Sequence, residues 1–326
     1  MNQVFAQLGS AMETDTLHVL IFSKNRAAQL HALLISLFEK VSMKHLSLKT
    51  TVLYDASTKE FESGYQHLAS KEWPGNIRFV KEEVGRHQVD IRLFINPRNL
   101  YRYLRYPWLR RSLDLLSFKL QVEGILSETA ADSVMFLTDD SLFYRPVTIS
   151  KDVCALVNAE PSQHVFSLRM GRNIKNLPAH IRRLNEYCEW ELYHPDCDKD
   201  WSYSFSVDGC IYSRSFLLAG IRKVLYVNPN SFEGFVWNWA RRKRFFSVGY
   251  CFPTSALIGF ELNRVQSVSP NNNLDLDPRK LNDLYLKGYV LEYDFDACPV
   301  EFHTPLRKLT MKNLDSGERV DLLRRN

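Results

Sequence analysis

The sequence is most informative first in what it lacks. No stretch approaches the roughly 18 consecutive apolar residues that a membrane-spanning helix needs, and the first residues, MNQVFAQLGSAMETDT, lack the basic-then-apolar order of a secretory signal. These two absences give the expectation of a cytoplasmic protein, with room for peripheral contact at the inner face of a membrane. Glycine and proline number only 13 each in 326 residues, too few for a collagen-like or low-complexity chain. No internal repeat is visible. The six cysteines, at 154, 188, 197, 210, 251 and 298, form no C-x-x-C pair and show no zinc-ligand spacing. They read as reduced thiols, mostly core filler. The formal charge of +5 is too small a surplus to argue for nucleic acid as the partner, though it suits a ligand that is anionic in part, such as a phosphate ester.

What is present is ordinary globular material: 45% hydrophobic, 24% charged, with 13% aromatic residues. A chain of this length buries enough surface to need no staples, and at roughly 150 residues per domain it allows about two units. Residues 17–23, LHVLIFS, form a continuous apolar run suited to a strand buried on both faces. Leu30, Leu33, Leu34, Leu37 and Phe38 then recur at helical spacing, which predicts an amphipathic helix over 26–40. TTVLYD (50–55) reads as a second strand, and Ser57 with Glu60 as a capping box opening a helix over 58–70. IRFVK (77–81) reads as a third strand. This β-α-β-α-β order predicts a parallel sheet with helices on both faces. A helix at about 111–127 then leads into the strand VMFLT, 134–138. In the second half HVFSLRM (164–170) and SFSVDGCIYS (204–213) suggest strands, and Phe232–Arg242 and Arg279–Gly288 helices, the latter capped by Asp277. A loose division falls near 150, giving a half over 1–150 and a second half over 151–326 that share one continuous globule and sheet.

Ligands of open parallel sheets bind beyond the carboxyl ends of the strands. The positions to inspect are therefore Ser23–Arg26, Asp55–Ser57 and Thr138–Ser141. The sharpest of these is FLTDDSLFY (136–144), where Asp139 and Asp140 close a hydrophobic strand. Adjacent carboxylates there suit Mg²⁺ or Mn²⁺ holding phosphate oxygens, or else simply start a turn.

At these residues the chain resembles the GT-A-fold glycosyltransferases that use nucleotide-diphospho-sugars, of bacterial surface-polysaccharide type. VLIFSKNRAAQLHALLISL is similar to their opening strand, loop and helix, VLYDASTKEF to their second strand, and FLTDDSLFY to their metal-binding D-x-D region. The likeness covers about the first 145 residues, and Thr138 stands where the first Asp of D-x-D would be. The resemblance implies a GT-A-like Rossmann-type α/β fold, with 1–150 binding the donor and 151–326 forming the acceptor side. The activity it implies is transfer of a sugar from a donor such as a UDP-sugar to a saccharide or lipid-linked saccharide hydroxyl, with Mn²⁺ or Mg²⁺. It makes Asp140 the metal-binding acid, with His303 completing the metal shell, and Asp55 the contact to base or ribose. Ser23, Asn25, Arg26 and Asp139 join the donor site, although Asn25 also reads as a helix N-cap.

An inverting transfer needs a base for the acceptor hydroxyl. Asp208, in SVDGCIY, is the first choice and Glu233, in NPNSFEG, the second, against readings as a turn former and as the partner of Asn230 in a helix cap. Trp201 and Tyr203 are candidates to border the acceptor or to fill the core. The basic cluster RRKR (241–244) ends a predicted helix, where it complements the dipole. Two rival functions stay open. One is a nucleotidyltransferase, opposed by a first loop, SKNRAAQ, without glycine. The other is a nucleic-acid- or membrane-binding module built on RRKR, which leaves the acid pair unexplained.

Overall fold

The computed structural model describes residues 15–83, 92–110, 116–259, 261–263, 274–294, 300–301 and 308–323. The first half runs β1 (Thr16–Lys24), α1 (Ala27–Lys40), β2 (Val41–Lys44), β3 (Ser47–Asp55), α2 (Lys59–Ala69) and β4 (Ile77–Lys81). The short helices α3 (Arg92–Ile95), α4 (Pro97–Arg105) and α5 (Pro107–Arg110) follow. Then come α6 (Ser117–Glu128), β5 (Ser133–Thr138), β6 (Ser141–Phe143) and β7 (Val147–Ser150). The second half continues with α7 (Lys151–Ala159), β8 (His164–Ser167), β9 (Arg182–Leu184), β10 (Tyr187–Glu191), β11 (Cys210–Ser213), α8 (Arg214–Ile221) and α9 (Pro229–Lys243). It ends with β12 (Val248–Cys251), β13 (Leu257–Gly259), α10 (Pro278–Leu286), β14 (Tyr289–Asp294), β15 (Lys308–Asn313) and β16 (Arg319–Asp321).

Nine strands build the central sheet in the order β4-β3-β1-β5-β11-β8-β12-β10-β9. The β4, β3, β1 and β5 strands are parallel neighbours. Strands from before and after residue 150 thus share one sheet. Alternation along β1 explains why this sheet is covered on both sides. Leu17, Val19 and Ile21 pack with α1 and α10, whereas Leu20 and Phe22 pack with α6 and α9. This is the α/β architecture, with helices on both faces, that the GT-A resemblance implies.

Several local expectations are corrected. The helix at 58–70 is not opened by a Ser57–Glu60 box: its N-cap is Thr58, with no side-chain capping hydrogen bond. HVFSLRM and SFSVDGCIYS are strands only over His164–Ser167 and Cys210–Ser213. Their other residues bend into the site described below. The cap of α9 is Asn228, in a reciprocal box with Ser231, so Asn230 and Glu233 play no part in it. The Asp277 cap of α10 is present, its side chain accepting from the Arg279 N–H at 2.9 Å. Trp201 is fully buried and belongs to the core. Among the described residues no helix is long and apolar enough to cross a membrane.

Candidate active site

The carboxyl ends of β1, β3 and β5 meet at one edge of the sheet, because β1 lies between the other two. The turn after β1 is tied down from both sides. Asn25 adopts a left-handed backbone with φ 55°. From there its amide clasps the turn after β3, accepting from the Ser57 N–H at 2.8 Å and donating to the Ser57 Oγ at 2.9 Å. It is therefore a bridge between two loops, not the cap of α1, whose N-cap Arg26 makes no side-chain capping bond. At the end of β3, Asp55 pairs with Lys24 at 2.7 Å on the open side.

The acid pair divides between the interior and the surface. Asp139 is turned inward: its Oδ2 accepts from the Ser23 hydroxyl at 2.8 Å and the Lys24 N–H at 3.1 Å, and its Oδ1 from Arg26 at 2.9 Å. Ser23 also bonds the buried Tyr65 hydroxyl at 2.6 Å. Asp140 is the more open member and meets the same Arg26 nitrogen, Nη1, at 2.9 Å. Arg26 completes its fork on Asn263, with Nε donating to Oδ1 at 2.8 Å and Nη2 to the carbonyl. Burial is the largest influence on this guanidinium and lowers its pKa, yet the two carboxylates together hold it above its ordinary value. Burial and the charge of Asp140 push Asp139 up to about 6, against the pull of Arg26 and Ser23.

Strand register sets the second group of acids. The pairing of Ile211 with Met135 and of Cys210 with Ser167 continues, beyond the end of β11, to place Asp208 between Thr138 and Arg169. Its Oδ1 accepts from the Thr138 hydroxyl at 2.5 Å, and its Oδ2 pairs with Arg169 at 2.6 Å. Thr138, the last residue of β5, thus ties Asp208 to the strand end that Asp139 and Asp140 follow. Gly209, at φ 74°, makes the turn possible, since a Cβ there would stand 2.3 Å from Leu257. Glu233, freed from capping, reaches back from α9 to accept the Val207 N–H at 3.1 Å. Burial, then the charge of Asp208, pushes it up to about 7.

Asp208 and Glu233 line one cavity of about 330 Å³ with Arg169, Trp190, Tyr203 and Glu261. Tyr203 stacks on Trp237 at 5.3 Å and presents an aromatic wall. Arg169 was not anticipated; it lies at the end of an apolar run whose strand reading hid it. The basic cluster 241–244 is exposed at the end of α9, where Arg241 lies over Trp237 and Arg244 over Tyr193. His303 lies outside the described residues.

Among the described residues, Asp140 is the member of the acid pair left open to a hard divalent cation. Asp139 already accepts three donors, and among the described residues no group of three metal-ligating side chains includes Asp140. Mg²⁺ and Mn²⁺ are commonly held through one or two carboxylates and the phosphates of the substrate itself. Asp140 can serve as that carboxylate.

No family model matches the chain. A bifunctional glycosyltransferase, pgtA, of Dictyostelium discoideum is 23% identical in an alignment of 333 residues that covers 87% of this chain. The chain spans 38% of the length of that relative. Among solved structures, residues 1–349 of S. aureus TarS superpose with a TM-score of 0.41 at 13% identity, over 75% of this chain and 60% of that one. The mannosyltransferase PcManGT of Pyrobaculum calidifontis, in complex with GDP-Man and Mn²⁺, gives 0.28 at 17% identity, over 48% and 36%.

Proposed function

We propose that this chain is a glycosyltransferase that moves a sugar from a nucleotide-diphosphate donor, such as a UDP-sugar, to the hydroxyl of a saccharide or lipid-linked saccharide in surface-polysaccharide synthesis. The observation that carries the reading is the placement of Asp208 and Glu233 in one cavity, with Asp208 bonded to Thr138 at the end of the strand that the acid pair follows. The sequence likeness to pgtA over most of the chain supports it.

In this reading the donor lies across the ends of β1, β3 and β5. Asp55 contacts the nucleoside, and Asn25 with Ser57 keeps the two loops in register. Asp140 binds the cation, which supplies charge neutralisation for the departing diphosphate. Arg26 and Asp139 hold Asp140 in place from beneath. The acceptor enters the cavity beside Tyr203. Its hydroxyl oxygen forms a bond to the anomeric carbon as the bond to the diphosphate oxygen breaks. The hydroxyl proton passes to Glu233, the acid whose pKa lies near neutral pH. Asp208, fixed by Arg169 and Thr138, keeps Glu233 high through its own charge.

Ligand-dependent melting tests the donor half. A UDP- or GDP-sugar with Mn²⁺ at about 100 times its dissociation constant is expected to stabilise the chain by about 2.7 kcal/mol, and duplex DNA is expected not to. Asp140→Ala should remove the Mn²⁺-dependent part of that gain, while the metal-free melting temperature falls by less than in a variant lacking Arg26, since Arg26 keeps Asp139 as its partner. A variant that keeps the full Mn²⁺ effect would take Asp140 out of the metal site.

Asp55→Ala is expected to weaken donor binding more than it slows transfer, because its place is at the nucleoside end, away from the reacting bond. Calorimetry decides this. An unchanged dissociation constant would leave Asp55 only as the partner of Lys24.

A further inference from the structure

Far along the sheet from the acid pair, the hairpin of β9 and β10 brings together residues that are distant in sequence. His180 precedes β9, and His194, Asp196 and Cys197 follow β10. The pairing of Arg182 with Glu189 continues to set His180 opposite Glu191, so the open end of the hairpin holds all four side chains. The two imidazole rings lie 4.0 Å apart between centroids, tilted by 34°. The ligand atoms of His180, His194 and Asp196 all fall within 4.8 Å of one another. His194 Nδ1 is 3.6 Å from an Asp196 carboxylate oxygen, and the Cys197 Sγ is 4.0 Å from His180 Nε2. His180 Nε2 also accepts from the Glu191 N–H at 3.3 Å and His194 Nδ1 from the Asp196 N–H at 3.2 Å, bonds that a metal on those nitrogens would replace, while the Nδ1 of His180 is buried without a hydrogen-bond partner among the described residues.

We infer that His180, His194 and Asp196 form a structural Zn²⁺ site that Cys197, beside this group of three but not within it, completes by turning its side chain inward. Tetrahedral zinc takes nitrogen at about 2.0–2.1 Å and sulfur at about 2.3 Å, which sets an N···S separation of about 3.6 Å. The two closest separations, 3.6 Å between His194 and Asp196 and 4.0 Å between Cys197 and His180, are a few tenths of an ångström longer, and the ligand atoms of His180, His194 and Asp196 lie within 4.8 Å, so binding draws the open end of the hairpin together. Two nitrogens, one sulfur and one oxygen make a borderline-soft set that favours Zn²⁺ over Mg²⁺ or Ca²⁺. With four protein ligands the site is closed, which marks it as structural. The spacing H-x₁₃-H-x-D-C contains no C-x-x-C element, and the hairpin is what brings its ends together.

The position gives the site a purpose. The segment that leaves it carries Asp200 and Tyr203 into the cavity of Asp208 and Glu233, with Leu192 on the near side. Zinc would fasten that segment to the last hairpin of the sheet. β9 is an edge strand bonded only to β10, so a clamp at its open end also guards it against fraying.

The test uses the full chain and needs no sugar transfer, so it fails or succeeds independently of the proposed function. Untagged protein is expected to carry about one zinc per chain by elemental analysis. Protein stripped by chelator and titrated with Co²⁺ alone should show the visible bands of a tetrahedral site and a thiolate-to-cobalt band in the near ultraviolet. Cys197→Ser should lose the thiolate band, and His180→Ala should lose all of them. Wild-type chain that takes up neither metal would overturn the site, as would cobalt bands unchanged in His180→Ala. Absence of the thiolate band in wild type would overturn the closed four-ligand arrangement. The wild-type titration stands even where a variant fails to fold.

Discussion

Glu233→Gln is expected to lower kcat by about 10²–10⁴-fold, the usual contribution of a general base, with donor affinity unchanged. The amide keeps the size of the carboxyl and can still accept the Val207 N–H, so loss of rate would reflect the proton alone. The pH profile adds a second readout. A base must be ionised to act, and burial with the charge of Asp208 pushes Glu233 up to about 7. Wild-type kcat should therefore rise with pH through about 7 and level off above it. Asp208→Asn removes the neighbouring negative charge, so Glu233 should ionise more easily and the rise should move to lower pH. Its rate at high pH should fall less than that of Glu233→Gln. A Glu233→Gln variant with wild-type kcat and the same profile would mean that the acceptor proton goes elsewhere. If Asp208→Asn is the dead variant and Glu233→Gln is not, the two acids exchange roles.

The order of the first half was legible because buried parallel strands are apolar throughout and amphipathic helices repeat at their own period. LHVLIFS and TTVLYD fall within β1 and β3, and the helix over 26–40 differs from α1 by one residue. What misled was the reading of polar residues by local spacing alone. Ser57 three residues before Glu60 fits a capping box, but the Asn25 clasp holds it instead. Asn230 three residues before Glu233 fits a cap as well, whereas Asn228 with Ser231 serves α9 and leaves Glu233 to face the cavity. Long-range pairing decided both cases, and spacing carries no trace of it. The acids themselves could be found, because carboxylates beside apolar strand ends are conspicuous. Their partners Arg26 and Arg169 could not be assigned that way, since each meets its acid only through strand register.

Arg26→Ala is expected to destabilise the chain by about 3–5 kcal/mol, the usual consequence of leaving a buried charge without its partner. For a chain of this size that is a fall in melting temperature on the order of 5–15 °C. Asp139 would then keep the Ser23 hydroxyl and the Lys24 N–H but lose the cation that offsets its burial, and Asp140 would lose its ion pair. Removing the guanidinium also deprives Asn263 of the donor to its carbonyl. The sign of the pH effect follows from Asp139. A carboxyl raised to about 6 in the folded state favours folding when protonated, and that contribution fades as pH rises through about 6. Without Arg26 the carboxyl should rise further, so the deficit should be smaller near pH 5 than near pH 7.5. Arg26→Ala with Asp139→Asn should recover part of the loss, because the amide needs no counter-charge and can still accept the Lys24 N–H. Arg26→Lys should fall between, retaining the charge but not the fork that spans both acids and Asn263. If Arg26→Ala melts with wild type at both pH values, the buried ion pair does not hold the end of β1 against the end of β5, and Asp140 must be positioned by the turn alone.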